Sequence, residues 1–456
     1  MYFIRNFALA NQRRAPLYER RSLFASCETL HLKTMASKGI LIKNGIVVAD
    51  GCCNVMDVLV KENVIERIGV NIPNENFEVI DAQGCLVSYG LADVHVHFRE
   101  PGFSAKETIR TGSMAAAHGG YTTVCTMPNL SPAPDAPDTL AVEQGLIAEQ
   151  AVIDVRPYAT ITKERKGQEI VDVEALCGSV AGFSDDGSGV QNEDVMRQAM
   201  EKVALSDGII AAHEEDNALL HNGYIHDGEY AKAHNHRGIC SESEWGPIAR
   251  DVELAEQTGC RFHVCHISTK ESVDIIRKAK QRGVKVTCET APHYLVLCDE
   301  DMQEEGRFKM NPPLRSREDK EALLAGIVDG TIDCIATDHA PHTAEEKGRG
   351  LEKSAMGIVG LETAFPIIYT HLVRRGVITL ERLVELMCGN PRKLFRLGGR
   401  MAEGEKADIA IFNLKTPFTI RPEAFLSKGK STPFEGWDVY GECIMTIYNG
   451  EIVWRK

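Results

Sequence analysis

No run of about 18 consecutive apolar residues occurs in the 456-residue chain, so no transmembrane helix can be drawn. The body of the chain also lacks a concentrated basic segment, and a formal net charge of -14 argues against a partner with a phosphate backbone. Neither a Cys-x-x-Cys pair nor a Cys/His finger spacing is present among the 14 cysteines. Most cysteines lie in apolar, strand-like runs such as Thr123-Val124-Cys125 and Val286-Thr287-Cys288, as structural thiols of a reducing cytoplasm would. A Gly-x-Gly-x-x-Gly turn after a strand is missing too. Gly119-Gly120 precedes a strand, which disfavours a dinucleotide-binding doubly wound sheet. With nucleic acid, membrane and disulfide scaffold set aside, 43% apolar and 25% charged residues are the composition of an ordinary folded enzyme.

The order of elements suggests its architecture. Short apolar runs at Leu91 to Phe98, Tyr121 to Met127, Val155 to Ile161, Gly182 to Phe183, Ile209 to His213, Arg261 to His266, Val284 to Cys288 and Cys334 to Thr337 alternate with longer helical segments. Eight such units, with polar residues of functional type after the strands, predict a (β/α)8 TIM-like barrel over residues 89–397. On either side, Asn44-Gly45 and Asn449-Gly450 each interrupt strand-like runs and predict two-residue hairpins. Neither terminal piece can fold alone, so residues 38–88 and 398–456 are expected to pair into one small β-sandwich. Residues 1–37 are an Arg-rich, acid-poor extension. It reads either as a transit peptide or, in the reading we favour, as sequence upstream of a true start at Met35.

Asp93-Val94-His95-Val96-His97 is the strongest local signal. Strand side chains alternate faces, so His95 and His97 point together into the interior as half of a metal site. Barrel active sites form at the C-terminal strand ends, and four more candidates stand there on four other strands: Asp186, His213, His266 and Asp338. Imidazoles with carboxylates suit zinc, and six ligands exceed the need of one tetrahedral ion, so two zinc ions sharing a carboxylate are expected. Alternation places His263 and His339 on the opposite faces. His118, His221, His226, His234, His236 and His371 fall on helices or loops. Asp185 and Asp186 are adjacent, and the pattern leaves both open as the shared ligand.

Five motifs come in a familiar order: Asp93 to Gly102, Met127-Pro128-Asn129, Ser184-Asp185-Asp186-Gly187, Lys309 to Arg315, and Thr337 to His342. In combination they make the chain, from about residue 38 onward, resemble the bacterial dihydroorotases of the amidohydrolase superfamily. The resemblance implies that His95, His97 and Asp338 bind one zinc, that His213 and His266 bind a second, and that Asp186 bridges them. An aspartate here takes the place of the carboxylated lysine of many relatives, so Lys163 and Lys166 read as solvated residues. Asp338 would act as general base and then acid on the ring-opening of dihydroorotate. Arg99, two residues past His97, would meet the substrate carboxylate as a bidentate donor, or else form a structural salt bridge with an acid such as Glu100. By resemblance Asn129, Asn311, His342, Met356 and Gly357 join Arg99 there. The polar segment after His342 reads as a mobile lid. A homodimer and association with aspartate carbamoyltransferase are implied in the same way. The rival readings are a hydantoinase or allantoinase, whose substrates lack the acid group, and an inactive subunit of a transferase complex.

Overall fold

Val- and Ile-rich runs near the N-terminus form five strands in the computed structural model, which describes residues 39–456: β1 (Ile40–Ala49), β2 (Cys52–Lys61), β3 (Val64–Gly69), β4 (Glu78–Asp81) and β5 (Cys85–Tyr89). Next along the chain come β6 (Leu91–Val96), β7 (Tyr121–Thr126), β8 (Asp154–Pro157) and β9 (Ile209–Ala212). A short pair, β10 (Ile225–His226) and β11 (Gly238–Ile239), is followed by β12 (Arg261–Val264), β13 (Val286–Thr290) and β14 (Cys334–Ile335). Last are β15 (Ile409–Asn413), the short pair β16 (Phe418–Thr419) and β17 (Asp438–Val439), β18 (Glu442–Tyr448) and β19 (Glu451–Arg455). The expectation of a start at Met35 lies outside the described residues.

The two terminal segments share one sheet of order β19-β18-β15-β5-β1-β2-β3, with β4 on β1. Its seam is the antiparallel pairing of β15 with β5, whose facing residues are almost all buried. Asn449 and Gly450, both at positive φ, make the tight β18–β19 turn that their sequence predicts. Asn44-Gly45 does not make a hairpin. Asn44 has a φ of 60° and marks a register shift inside the single strand β1, where its backbone N–H donates to Asp57 at 2.9 Å. Both Asn-Gly pairs use the left-handed backbone, but β1 resumes pairing with the same neighbour, so this one is a bulge.

Between these segments every strand pairing of β6 to β9 and β12 to β14 is parallel. Single parallel bridges join Ala159 to Phe183, Phe183 to Ile210, and His339 to Val96. The pairings therefore run β6, β7, β8, Phe183, β9, β12, β13, β14 and return to β6. Helices such as Ile109–His118, Pro137–Gln150, Glu193–Leu205, Glu242–Thr258, Lys270–Gln281 and Arg317–Asp329 lie between successive strands. Thr108, Asn192, Thr269 and Ser316 cap four of them by accepting a backbone N–H, which starts each helix at a defined residue. Seven of the eight expected strands form, with different ends, and the eighth, Gly182 to Phe183, is reduced to single bridges made by Phe183. β13 begins two residues late because the Val284 N–H is taken by Ala279 of the preceding helix, at 3.1 Å. No helix among the described residues is long and apolar enough to cross a membrane. The cysteines among the described residues are all free thiols, most of them buried.

Candidate active site

The C-terminal ends of the parallel strands gather all six sequence-derived ligands. Of four three-residue groups whose ligand atoms converge among the described residues, two share Asp186: His95 with His97 and Asp186, and His213 with His266 and Asp186. The other two, His95 with Cys265 and Glu289, and His263 with Glu289 and Cys334, centre on Glu289. Asp186 Oδ1 lies 3.3 Å from His95 Nε2 and 3.7 Å from both His213 Nδ1 and His266 Nε2, while Oδ2 lies 3.5 Å from His97 Nε2. Asp338 closes the first trio, with Oδ1 3.1 Å from His97 Nε2 and 3.6 Å from His95 Nε2.

Asp185 turns the other way. Its carboxylate accepts the backbone N–H of Ile161 at 2.8 Å and of Thr162 at 3.1 Å, together with the Thr162 hydroxyl. Those bonds tie the loop after β8 to the loop carrying Asp186, and they leave Asp186 as the carboxylate facing the imidazoles.

Outer partners orient the rings. Glu289 Oε1 accepts from His95 Nδ1 at 2.8 Å, and Asn129 Oδ1 accepts from His97 Nδ1 at 2.9 Å, so the Nε2 lone pairs of both rings face the cluster. Asp93, buried on β6, accepts the backbone N–H of His95 at 3.0 Å and of Thr337 at 3.1 Å. One carboxylate thereby pins β6 to the segment ending in Asp338.

Two buried atoms of the cluster lack partners. His95 Nε2 and Asp186 Oδ1 are both fully buried and make no hydrogen bond. Burial opposes ionisation of Asp186, yet the neighbouring His95, His266 and His97 hold its carboxyl well below the usual range. For Asp338 the same contest, against His97, His95 and His266, ends at about 2. Burial likewise opposes protonation of His95, but Asp186, Cys265 and Glu289 raise it well above its ordinary value. His213 Nδ1 and His266 Nε2 lie in hydrogen-bond contact at 2.9 Å, as do His97 Nε2 and Asp338 Oδ1 at 3.1 Å. The central Asp186 Oδ1 and His95 Nε2 stay unpartnered at 3.3 Å, and this donor set of imidazoles and carboxylates fits a metal cation.

Three positions depart from regular backbone. Arg99, His266 and Asp338 have φ of 59°, 32° and 47°, a left-handed region that costs non-glycine residues of order 1–3 kcal/mol each. β6 stops at Val96 and β12 at Val264, so Arg99 and His266 are aimed by these turns and not by strand alternation. Arg99 makes no ion pair among the described residues. Its Nε donates weakly to Pro341 O at 3.3 Å, and Glu100 is engaged instead by Ser104 and Ile109, so the structural salt bridge is not formed. His342 Nε2 donates to Met356 O at 2.8 Å, and Asn311 Nδ2 donates to Glu215 at 2.9 Å. Gly357, at a φ of 130°, packs so closely that a Cβ would lie 2.7 Å from Ala340 O.

The segment after His342 is folded into two short helices, Ala344–Lys347 and Gly350–Lys353, and is tied down by several polar contacts. That is more structure than a polar, glycine-bearing lid suggests. His263 turns to Thr287 and Glu289, and His339 to Gly360, away from the cluster. His118, His221, His226, His234, His236 and His371 are absent from the ligand groups of the described residues.

Sequence reasoning missed four neighbours. Glu289 orients His95. Glu215 holds Asn311. Arg165 donates to the Asp186 carbonyl at 2.7 Å, and His293 is buried with its Nε2 unpartnered. An acid inside a strand, as in Val286-Thr287-Cys288-Glu289, was the available signal, since a buried carboxylate needs a partner.

Comparison with known proteins decides the family. A dihydroorotase from Bacillus cytotoxicus is 50% identical over 91% of this chain and 98% of its own length. The chain belongs to the dihydroorotase family. Another dihydroorotase, from Bacillus caldolyticus, is 51% identical over 92% of this chain and 99% of its own. Residues 84–272 match the family model described as Dihydro-orotase-like. Among solved structures, an L-hydantoinase from Arthrobacter aurescens superposes with a TM-score of 0.83 at 26% identity, covering 91% of this chain and 96% of that one. The mixed α/β fold is therefore that of the cyclic amidohydrolases, and this dihydroorotase-family enzyme works on a small cyclic amide.

Proposed function

We propose that the protein catalyses the reversible opening of L-dihydroorotate to N-carbamoyl-L-aspartate, the ring-forming step of pyrimidine synthesis, at two zinc ions. The observation that carries this reading is the pair of ligand trios sharing Asp186, beside an arginine that no acid of the described residues engages. His95, His97 and Asp338 would hold one ion and His213 and His266 the other, with Asp186 common to both. The nitrogen and oxygen donor set suits zinc. When bound, zinc supplies a water of pKa lowered to about 7 and an electrophile for the ring carbonyl.

The chain's own residues do the rest. Asp338 accepts the proton of the attacking water and returns it to the departing ring nitrogen, at a carboxylate that its imidazole neighbours keep ionised. Arg99 offers its guanidinium to the ring carboxylate, with Asn129, Asn311, His342 and the Met356–Gly357 backbone around it. With His97 holding Asn129 Oδ1, the Asn129 amide presents its N–H groups to that carboxylate. Burial of the walls keeps bulk water from competing for these contacts.

The same reading takes the parallel strand series as a closed (β/α)8 barrel over residues 89–397, with residues 38–88 and 398–456 as a β-sandwich module. Return of the pairings to β6 supports the closure. A cytoplasmic homodimer, able to associate with aspartate carbamoyltransferase, completes the proposal by family. Hydantoins carry no acid group and would leave Arg99 without a task. Hydrolysis rates on dihydroorotate, dihydrouracil and allantoin test the assignment. Dihydroorotate is expected to be the preferred substrate by orders of magnitude, and a preference for either neutral ring would overturn it.

A further inference from the structure

Lys347 is a lysine in the wrong place for a surface helix. It ends the short helix Ala344–Lys347, yet only 7% of it is exposed, and no carboxylate among the described residues pairs with it. Its Nζ donates to two backbone carbonyls, Lys309 O at 2.9 Å and Ala355 O at 2.8 Å. Burial, and then the charge of Lys309, pushes its ammonium down to about 7.

Stability alone does not account for such a group. Burying an ammonium without a counter-ion costs several kcal/mol by desolvation, and an apolar side chain of the same length would fill the space without that cost. What the lysine does and an apolar residue cannot is join two segments at one atom. Lys309 stands two residues before Asn311, and Ala355 one residue before Met356. Around this junction Gly357 N donates to Lys309 O at 3.1 Å, Ala355 N to Glu346 O at 3.0 Å, and Ser354 Oγ to Lys347 O at 2.8 Å. His342 reaches the same segment through Met356 O, so all the carboxylate-side groups except Arg99 and Asn129 hang on these two strands of chain. None of the six metal-site residues touches Lys347 through a hydrogen bond among the described residues.

We propose that Lys347 is a positioning residue for substrate recognition: it fixes the spacing between the Asn311 segment and the His342–Gly357 segment, and so sets affinity for the carboxylate end of the substrate without touching it. The proposal rests on the dihydroorotase reading, in which those two segments meet the ring carboxylate. It separates two halves of the site. Loss of Lys347 affects KM and leaves the metal ligands in place.

The test uses the full-length, zinc-loaded enzyme with Lys347→Met, which keeps length and removes the donor, and Lys347→Gln, which keeps a neutral donor. For Lys347→Met, KM for dihydroorotate should rise about tenfold with kcat within about threefold and zinc content unchanged, and Lys347→Gln should fall between it and wild type. In a His342→Ala background the same Lys347→Met change should raise KM by less than about threefold, because groups acting as one unit are not additive. An unchanged KM in folded Lys347→Met, a Lys347→Gln enzyme no better than Lys347→Met, or equal increments with and without His342 would overturn the proposal and leave Lys347 a structural residue. Wild-type enzyme that fails to open dihydroorotate with zinc restored would instead overturn the functional reading, whatever the variants do.

Discussion

His97 donates from Nδ1 to Asn129 Oδ1 across 2.9 Å, and in the proposed reading this bond couples the metal half of the site to the substrate half. It fixes the ring so that Nε2 faces Asp186 and Asp338, and it fixes the amide so that its donors face outward. Asn129→Asp keeps the acceptor but loses those donors and adds a negative charge. The variant should retain its zinc while KM for dihydroorotate rises tenfold or more, of order 1.4 kcal/mol, read by steady-state kinetics beside metal analysis. Loss of zinc with an unchanged KM would show that the bond serves the ligand alone.

Glu289 plays the matching part for His95, at 2.8 Å. Removing a carboxylate that orients a ligating histidine typically costs roughly 10–100-fold in metal affinity. Glu289→Gln should lose zinc to a competing chelator at correspondingly lower chelator concentration, and equal retention by wild type and variant would contradict the role.

The neighbouring aspartates should separate cleanly. Asp186→Asn removes the carboxylate proposed as the shared ligand, and the purified protein should hold less zinc than wild type. Asp185→Asn loses part of a buried network to Ile161 and Thr162 and should destabilise by about 1–3 kcal/mol in denaturant unfolding. Its zinc content should stay that of wild type.

How far the site was legible follows from which rule governs each residue. His95 lies on β6 and His97 one residue past its end, close enough for period-2 alternation to carry both rings to the same face. Asp186 and Asp185 lie in a loop where no period applies. What distinguishes them is that Asp185 is consumed by the N–H groups of residues more than twenty positions earlier, a contact that a linear pattern does not encode. Arg99 and His266 stand just past a strand end at positive φ, where strand alternation no longer governs the direction of a side chain. Glu289 is not legible in the same way, because it stands within β13 and its partner His95 lies on β6, a strand that β13 does not pair with. Asn44-Gly45 shows the converse error: the dipeptide reports a left-handed backbone, and only the partner strand decides between a turn and a bulge.

His342 sets a dependence on pH. Burial, and then the charges of Arg99, Lys106 and Lys347, lower its imidazole to about 3 from an ordinary 6.5. The native protein then binds fewer protons than the unfolded chain between those values. Stability contributed by keeping this ring neutral is present above pH 6.5 and is lost progressively as pH falls toward 3. His342→Gln should therefore flatten the decline in stability between pH 6.5 and 4, measured by denaturant unfolding in parallel with wild type. An identical slope in both would contradict a buried neutral imidazole.

Gly357 should tolerate no side chain. Its φ of 130° and the 2.7 Å approach of a Cβ to Ala340 O mean that Gly357→Ala must move the loop or the residues following Asp338. A KM for dihydroorotate raised severalfold is expected, and wild-type kinetics would show that the loop can shift without consequence.

The most direct test is the rate of dihydroorotate ring-opening by chelated and zinc-restored protein, for wild type and for Asp338→Ala. The account predicts that wild-type activity disappears on chelation and returns with zinc, and that Asp338→Ala stays inactive even in zinc. Turnover that survives chelation, or an Asp338→Ala enzyme as active as wild type, would contradict it.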